Sequence, residues 1–461
     1  RREDTRQTRQ NIFYTSMSSS IISLRCRCSR PRLTRWMSSF STKQITDQCF
    51  DIAVVGGGIV GIAAAREILT RNPQLSCAVI EKEPELARHQ SGNNSGVIHA
   101  GIYYAPGSMR ALLCQKGMNL AYEYLDKRKI PYKKVGKLIV ATHTDELPRL
   151  ATLYDRGLKN NVKDLCIVES RDISDIEPHC VGIRALHSPH TGIVDWGLVT
   201  KCFAEDFHEI GGTTLLNFEV KTISNGLVSS RNIDIARYPV TLTSKDDKEV
   251  HAGYVLCCAG LFADRVAVMS GGTREPAILP VRGEFLELVE HKRHLVKGNI
   301  YPVPDPKFPF LGVHFTPRMD GRVLLGPNAV LAFKREGYKY SDVSISDCWE
   351  YLMYPGFRKL ALNNAKFGFQ EFSKSVFLSL QLEKLKAFIP EITVHDIKRG
   401  PSGVRAQALS PKGDLVEDFV FEGGIEQNSR VLHCRNAPSP AATSSMAIAQ
   451  VLADKMFQLI G

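Results

Sequence analysis

The chain has 461 residues, enough to bury a large core in two domains or in one elaborate domain. Its hydrophobic fraction of 43% and charged fraction of 23% are typical of a globular protein. The net charge of +11 does not indicate a nucleic-acid-binding protein, because eight basic residues and no acidic residue lie between Thr5 and Thr46, which leaves about +3 for the rest of the chain.

The first 48 residues are rich in Ser, Thr and Arg and carry no periodic apolar face. This composition is typical of a mitochondrial transit peptide, whereas Ile21–Leu24 is too short an apolar run for a secretory signal. We therefore expect residues 1–48 to direct import into the mitochondrial matrix, with a disordered basic tail as the alternative. Because the chain opens with Arg1, Met17 or Met37 is the expected initiator.

The 12 cysteines include no CxxC pair and follow no regular spacing. They predict neither a disulfide framework nor a zinc site, and we expect no metal. Free thiols agree with a reducing compartment. No apolar run approaches the roughly 18 residues of a membrane-spanning helix, so we expect no such helix.

A strand, a glycine turn and a helix follow one another directly after residue 50. Asp51–Val55 is short, apolar and β-branched, which predicts a buried strand, and it leads into G-G-G-I-V-G (56–61) and helix-forming residues. Gly56 permits the tight turn, Gly58 lets backbone approach a pyrophosphate at the helix N-terminus, and Gly61 allows close helix–strand packing.

The next predicted strand, Ser76–Ile80, ends in Glu81, about 20 residues after the last glycine. An acid at this position accepts hydrogen bonds from the adenosine ribose, and Lys82 is expected beside it. These features together predict a dinucleotide site, since a glycine turn without a ligand would not require Glu81. They do not distinguish FAD from NAD, because both cofactors carry this ribose.

The segment His89–Tyr104 combines small polar residues with closely spaced glycines. Such a run suits a flat, bulky ring packed against backbone, which favours FAD. The residues of this segment that we expect to contact the cofactor are Ser91, Asn94, Ser95 and Gly96.

Six motifs spread over residues 50–461 carry a resemblance to a known family. They are N-S-G-V-I-H-A-G-I-Y-Y (94–104), H-S-P-H-T-G-I-V-D (187–195), Y-V-L-C-C-A-G-L-F-A-D (254–264), V-R-G-E-F (281–285), F-L-G-V-H-F-T-P (310–317) and N-A-P-S-P-A-A-T-S-S (436–445). In this order the chain resembles the FAD-dependent D-amino-acid-oxidase-like superfamily, which includes glycine oxidase, sarcosine oxidase and glycerol-3-phosphate dehydrogenase.

The resemblance implies an α/β fold, with an FAD-binding Rossmann-like domain and an interleaved antiparallel-sheet substrate domain over the flavin. The FAD-binding domain is expected in residues 49–130, 191–280 and 396–461, and the substrate domain in residues 131–190 and 281–395.

Further cofactor contacts follow from the same resemblance. Val220 is expected beside the adenine, with an ordinary core valine as the alternative, and Ala259-Gly260 is expected where backbone passes the dinucleotide. A turn before the C-terminal helix is expected at the flavin, where the positive helix end would stabilise reduced flavin; a surface loop is the alternative. The residues concerned are Ser439, Pro440, Ala441, Ala442 and Thr443.

The activity that the resemblance implies is oxidation of a small dicarboxylic 2-hydroxy acid, with flavin N5 accepting the hydride. A base must take the hydroxyl proton, and histidine is the usual choice near neutral pH. His99 and His314 are the candidates, each with a structural core histidine as the alternative, and the sequence leaves open which of them is the base.

The substrate carboxylates need cationic partners, and the planar guanidinium of arginine matches them in a bidentate manner. Arg405 and, less directly, Arg282 are expected in this role. Tyr103 and Tyr104 are expected to reach the substrate or the flavin, and each of these four residues has a structural hydrogen bond as its alternative role.

Residues 348–390 mix aromatic and leucine residues with lysines and arginines, which is typical of basic amphipathic helices. We expect peripheral docking on the inner mitochondrial membrane and electron transfer to a quinone or a carrier protein. The alternative for these helices is a face packed against the protein body. An amine oxidase that reduces oxygen and a non-catalytic flavoprotein assembly factor are the rival functions.

Overall fold

The computed structural model describes residues 48–226, 233–305, 312–376, 378–425 and 428–461. The expected transit peptide, except for Gln48, and Phe310 and Leu311 of the fifth motif lie outside the described residues. The helices are α1 (Ile59–Arg71), α2 (Met109–Arg128), α3 (Leu147–Lys159), α4 (Ser170–Ile176), α5 (Trp196–Glu209), α6 (Ala263–Met269), α7 (Ile345–Met353), α8 (Pro355–Asn363), α9 (Ala365–Val376), α10 (Leu378–Lys386) and α11 (Ala441–Ile460).

The strands belong to three sheets. They are β1 (Gln48–Val55), β2 (Cys77–Ile80), β3 (Val97–Ile98), β4 (Tyr132–Lys133), β5 (Lys137–Ala141), β6 (Cys166–Glu169), β7 (Arg184–Ser188), β8 (Gly192–Val194), β9 (Thr213–Leu215), β10 (Val220–Asn225), β11 (Val240–Ser244), β12 (Glu249–Cys257), β13 (Ala277–Leu288), β14 (Asn299–Pro302), β15 (His314–Pro317), β16 (Val323–Gly326), β17 (Val330–Leu331), β18 (Ile397–Leu409), β19 (Val420–Ile425) and β20 (Asn428–Asn436).

The first sheet has a parallel centre in which β12, β1, β2 and β9 lie side by side. On its outer edge β12 pairs antiparallel with β11 near its start and parallel with β20 near its end. Both predicted nucleotide strands are therefore central strands. A central parallel strand is covered on both faces, which is why β1 and β2 read as apolar runs.

Side chains of β1 alternate between two separate cores. Ile52 and Val54 pack in a cluster with α1, α5 and α11, whereas Ala53 and Val55 pack in a second cluster with α6 and strands β10 and β11. This alternation follows from the two-residue period of a strand. Helices α1, α5 and α11 therefore cover one face of the first sheet, and α6 packs on the other face.

The second sheet has the order β17-β13-β16-β15-β14-β5-β7-β6, and β18 pairs with β13 along almost its whole length. Its pairs are antiparallel except for β14 with β5. The strand orders of the two sheets confirm the predicted fold class, an α/β protein with a Rossmann-like part and an antiparallel sheet.

The expected domain boundaries do not coincide with the strands at two places. The boundary between residues 280 and 281 falls inside β13, and β18, expected in the FAD-binding domain, belongs to the second sheet. The reason is that β13 and β18 form one continuous antiparallel ladder, which a cut at residue 280 or 396 would divide. The division into two domains stays a prediction, with β18 moved to the substrate side.

A small third sheet, β3-β8-β4, supports the segment expected along the flavin. Val97 and Ile98 pair with Ile193 and Gly192, so residues of the second motif hold residues of the first. Among the described helices, none combines the length and the apolar character needed to cross a membrane.

Candidate active site

A cavity of about 1430 Å³ lies where the two large sheets meet. It exceeds the ~300–1,000 Å³ of a typical small-ligand pocket, as expected for a site that holds a dinucleotide and a substrate together. The predicted site residues that line it are Gly56, Gly58, Gly61, Glu81, Lys82, Ser91, Asn94, Ser95, His99, Tyr103, Tyr104, Val220, Ala259, Gly260, His314, Arg405, Ser439, Pro440, Ala441, Ala442 and Thr443. Gly96 and Arg282 do not line it.

The glycine turn between β1 and α1 is packed too tightly for side chains. Gly56 has a φ of +114°, and a Cβ atom there would lie 2.4 Å from the carbonyl oxygen of Cys258. A Cβ atom on Gly61 would lie 2.1 Å from the carbonyl oxygen of Gly56. The turn therefore rests against the end of β12 and presents the N-terminus of α1 to the cavity, which suits an anionic pyrophosphate.

Glu81 is tied to the glycine turn. Its carboxylate accepts hydrogen bonds from the backbone N–H of Gly57 at 2.6 Å and of Glu83 at 2.9 Å. A carboxylate has about four acceptor positions, so Glu81 retains capacity for a ribose hydroxyl. Lys82 forms ion pairs with Glu336 and, at 3.2 Å, with Glu83, so its charge is balanced by protein carboxylates.

The polar residues of the flavin segment shape the backbone as well as the cavity wall. Ser91 Oγ accepts a hydrogen bond from Ile59 N–H at 2.8 Å, in the first turn of α1. Asn94 Oδ1 accepts from Gly96 N–H at 2.9 Å. Gly96 has a φ of +79°, and a Cβ atom there would lie 2.9 Å from the carbonyl oxygen of Val194, so this glycine belongs to the turn that leads into β3.

The C-terminal turn lies beside His99. The Thr443 hydroxyl accepts a hydrogen bond from His99 N–H at 3.1 Å and donates to the Val97 carbonyl oxygen at 3.4 Å. Arg110 donates two hydrogen bonds to the Ser439 carbonyl oxygen, at 3.2 and 3.0 Å. These contacts hold the positive N-terminal end of α11 against the segment that contains His99.

His314 is buried in the wall of the cavity. Its ring stacks on Tyr301, with 4.0 Å between ring centroids, and its Nδ1 lies 3.2 Å from the carbonyl oxygen of Gly312. A carbonyl oxygen can only accept, so Nδ1 carries the proton and Nε2 carries the lone pair. Burial lowers the pKa of His314 to about 3, which keeps the ring neutral.

His99 faces the cavity with less restraint. Within the described ranges, neither of its ring nitrogens has a hydrogen bond, whereas its backbone bonds to Thr443 and Cys114. Burial, together with the charge of Lys137, holds the pKa of His99 well below its usual range. A neutral imidazole with free ring nitrogens can accept a proton from a bound ligand.

Arg405 and Arg282 lie on paired strands but face opposite sides. Gly283 and Phe285 of β13 line the cavity, so Arg282, one residue out of phase, points away from it. The Arg282 guanidinium is fully buried and bonds to Glu284 at 2.9 Å and to the Lys339 carbonyl oxygen at 3.1 Å. Arg405 of β18 does line the cavity, so the expectation of a substrate contact is kept for Arg405 alone.

Three residues in or beside the cavity wall were not among the sequence candidates: Tyr301, Arg110 and Lys137. Lys137 is 2% exposed, and its ammonium lies 4.1 Å from the centroid of the Tyr301 ring and 5.3 Å from that of Tyr103. Arg110 contacts both Ser439 and the ring of Tyr104. A lysine at the start of the apolar run 137–141 was a usable signal, because a charged residue opening a fully buried strand is unusual.

The residues present fit FAD and a polar ligand beside it. Gly58 lines the cavity at the N-terminus of α1 and presents backbone alone there, which suits a phosphate-bearing group. The hydroxyl of Tyr103 is buried in the cavity wall without a hydrogen-bond partner in the described structure. An unsatisfied buried hydroxyl is costly, so it marks a place where a bound molecule supplies the missing partner.

Comparisons with known proteins agree with this geometry. The family described as "FAD dependent oxidoreductase" matches residues 51–455. The curated mitochondrial L-2-hydroxyglutarate dehydrogenase of Nematostella vectensis is 54% identical over 410 residues, covering 88% of this chain and 90% of that protein. The human mitochondrial L-2-hydroxyglutarate dehydrogenase is 53% identical over 419 residues, covering 90% of each.

Solved structures show the same fold. L-α-glycerophosphate oxidase from Mycoplasma pneumoniae, solved with FAD bound, has a TM-score of 0.69 at 21% identity, covering 89% of this chain and 95% of that one. Glycine oxidase from Geobacillus kaustophilus has a TM-score of 0.64 at 17% identity, with the same coverage.

The mitochondrial names of the curated relatives agree with the basic, acid-poor N-terminal segment and support a mitochondrial location for this chain. The family match and the identity over about nine tenths of each relative confirm the resemblance predicted from the six motifs. This chain is an FAD-dependent oxidoreductase of the D-amino-acid-oxidase-like fold and belongs to the family of the mitochondrial L-2-hydroxyglutarate dehydrogenases.

Proposed function

We propose that this enzyme oxidises L-2-hydroxyglutarate to 2-oxoglutarate in the mitochondrial matrix. The observation that carries the proposal is the 53–54% identity to L-2-hydroxyglutarate dehydrogenases over about nine tenths of each chain. A cavity wall with Arg405, two tyrosines and two neutral histidines supports a small anionic hydroxy acid as the substrate.

The chemistry divides between the cofactor and the protein. FAD, when bound, supplies the acceptor for the hydride that leaves C2 of the substrate. Arg405 pairs with a substrate carboxylate and fixes the orientation of C2. The Tyr103 hydroxyl donates a hydrogen bond to the substrate, which satisfies a polar atom that has no partner among the described residues.

The hydroxyl proton of the substrate passes to His99 in this proposal. His99 has free ring nitrogens in the described structure, whereas the ring of His314 is fixed by Gly312 and Tyr301. As the C2–H bond breaks, the O–H electron pair forms the carbonyl and the proton moves to His99. His314 shapes the cavity wall through its stacking on Tyr301, and the N-terminus of α11 favours negative charge on the cofactor side.

An anaerobic titration tests this function. Purified holoenzyme is mixed with L-2-hydroxyglutarate or, as the matched control, D-2-hydroxyglutarate, and the flavin absorbance is followed. We expect stoichiometric bleaching with the L enantiomer only. Equal bleaching by both enantiomers, or by neither, would overturn the substrate assignment, and hydrogen peroxide formed at the turnover rate in air would favour the rival oxidase.

We further propose that the enzyme docks peripherally on the inner mitochondrial membrane and passes electrons to a quinone or a carrier protein. Ile345, Trp349, Leu352 and Met353 recur on one face of α7 and are 86%, 63%, 52% and 49% exposed. Exposed basic residues follow on α8, at Arg358 and Lys359. An exposed apolar stripe on a helix, with basic side chains beside it, suits binding to an anionic membrane surface.

Sedimentation with anionic vesicles tests the docking. We expect the enzyme to bind vesicles at low salt, and the double variant I345S/W349S to lose most of that binding while its turnover in solution is unchanged. Leu112→Ser on α2 is the matched control, because Leu112 is 62% exposed but lies away from the stripe in sequence. Binding that is equal in all three proteins would contradict the proposal.

A further inference from the structure

Lys137 is a buried basic residue for which the described side chains provide no counter-ion. It opens β5, opposite Asn299 of β14 and Ser188 of β7, and is 2% exposed. In the described part of the chain its ammonium has no hydrogen bond and no ion pair, only the faces of Tyr301 and Tyr103. A buried ammonium without a carboxylate partner is rare, because burial penalises the charge.

The ionisable side chains that interact with Lys137 in the described structure carry no negative charge at neutral pH. His187 of β7 also lies near this end of β5, and the nearby Glu177 carboxylate is bonded to the backbone N–H groups of Lys297 and Gly298. Tyr103 and His99 lie on the segment after β3, Cys114 on α2, Tyr301 on β14 and His314 on β15. Burial lowers the pKa of Lys137 to about 7 and raises the pKa of the Cys114 thiol to about 12. A bound anion in the cavity would therefore supply a counter-charge that the described side chains around Lys137 do not.

We propose that Lys137 is a positioning residue that couples the charge of the ligand to the uptake of a proton. A dianionic 2-oxo or 2-hydroxy acid in the cavity supplies the counter-charge. Lys137 becomes protonated as this ligand binds. Lys137 does not line the cavity itself and acts through the rings of Tyr103 and Tyr301, which do. The inference rests on the proposed function for the identity of the dianion.

The coupling has a definite sign. In the free enzyme Lys137 loses its proton as the pH rises through about 7, and a nearby dianion moves that loss to higher pH. Binding a dianion above pH 7 therefore takes up a proton, and the affinity falls as the pH rises. The carboxylates of 2-oxoglutarate stay ionised throughout this range, so the ligand does not account for the change.

Calorimetric titration of oxidised holoenzyme with 2-oxoglutarate, in two buffers of different ionisation enthalpy, measures the proton uptake directly. We expect wild-type enzyme to take up most of one proton per ligand at pH 8, and its affinity to fall about tenfold between pH 6.5 and 8.5. Lys137→Arg stays charged, so it should bind tightly with no uptake and no pH dependence. Lys137→Met should bind weakly, again without uptake.

Lys134→Met is the matched control, because Lys134 is an exposed lysine of the same segment that also contacts an aromatic ring, that of Tyr122. It should keep the proton uptake of the wild type. Uptake that persists in both Lys137 variants would overturn the inference and assign the proton to a histidine. If Lys137→Met does not fold, the Arg variant decides alone. Failure of the wild type to bind 2-oxoglutarate would overturn the proposed function and this inference with it.

Discussion

At the scale of single residues, the cavity holds two histidines that differ in their surroundings. Burial lowers the pKa of both His99 and His314, so both rings stay neutral in mildly acidic solution. A neutral ring can accept the hydroxyl proton, whereas a protonated ring cannot. For this reason kcat/KM should not fall when the pH is lowered through 6.5, the usual pKa of histidine.

His99→Asn should lower kcat by about 10²- to 10⁴-fold with normal FAD content, because it removes the proton acceptor. His314→Asn should reduce kcat less, since that ring shapes the cavity wall in our proposal and takes no proton. Steady-state kinetics on flavin-normalised enzyme measures both, with His395→Asn, an exposed histidine, as the control. If His99→Asn stays within threefold of the wild type, His99 is not the base.

Arg405 and Arg282 form a matched pair on the two strands of one ladder. Arg405→Lys should raise KM for L-2-hydroxyglutarate by roughly 10- to 100-fold, because lysine cannot form the bidentate contact. Arg282→Met should instead destabilise folding by about 3–5 kcal/mol, since it leaves the Glu284 carboxylate without its buried partner. KM and the melting temperature separate the two effects. A raised KM in Arg282→Met at unchanged stability would contradict the structure.

At the scale of elements, the turn between β1 and α1 depends on close backbone contacts. Gly61→Ala would place a Cβ atom 2.1 Å from the Gly56 carbonyl oxygen, so α1 would have to move away from the turn. We expect low FAD occupancy and a lower melting temperature. The ratio of flavin to protein absorbance measures the occupancy.

Gly368→Ala in α9 is the control for this substitution, because an added Cβ atom there meets nothing within 4 Å. That change should stabilise the helix by about 0.5–1 kcal/mol, the usual gain from glycine to alanine inside a helix. Full FAD occupancy in Gly61→Ala would show that the turn tolerates a side chain.

At the scale of the whole molecule, the cavity joins the first sheet to the second. Its wall combines the glycine turn, the segment around His99, Arg405 of β18 and the turn before α11. Removing FAD should therefore lower the melting temperature, since a ligand stabilises the folded state in proportion to its binding free energy. ADP, which reaches only the nucleotide end, should restore less stability than FAD, and equal restoration by both would contradict this arrangement.

Much of the nucleotide end could be predicted from the sequence, because its parts are contiguous. Strand, turn and helix follow within residues 48–71, and the periodicity of each element is visible locally. The C-terminal turn and α11 could be predicted for the same reason. The substrate itself came from the family resemblance, since a fold does not define what its cavity binds.

The sequence by itself determined the fold class, the cofactor and most of the residues in the cavity wall. Only the tertiary structure decided that Arg282 points away from the cavity, that β18 belongs to the second sheet, and that Lys137 is buried against Tyr103 and Tyr301. These facts depend on which face of a strand meets which partner. That choice is made by long-range pairing, because a shift of one residue turns a side chain to the opposite face.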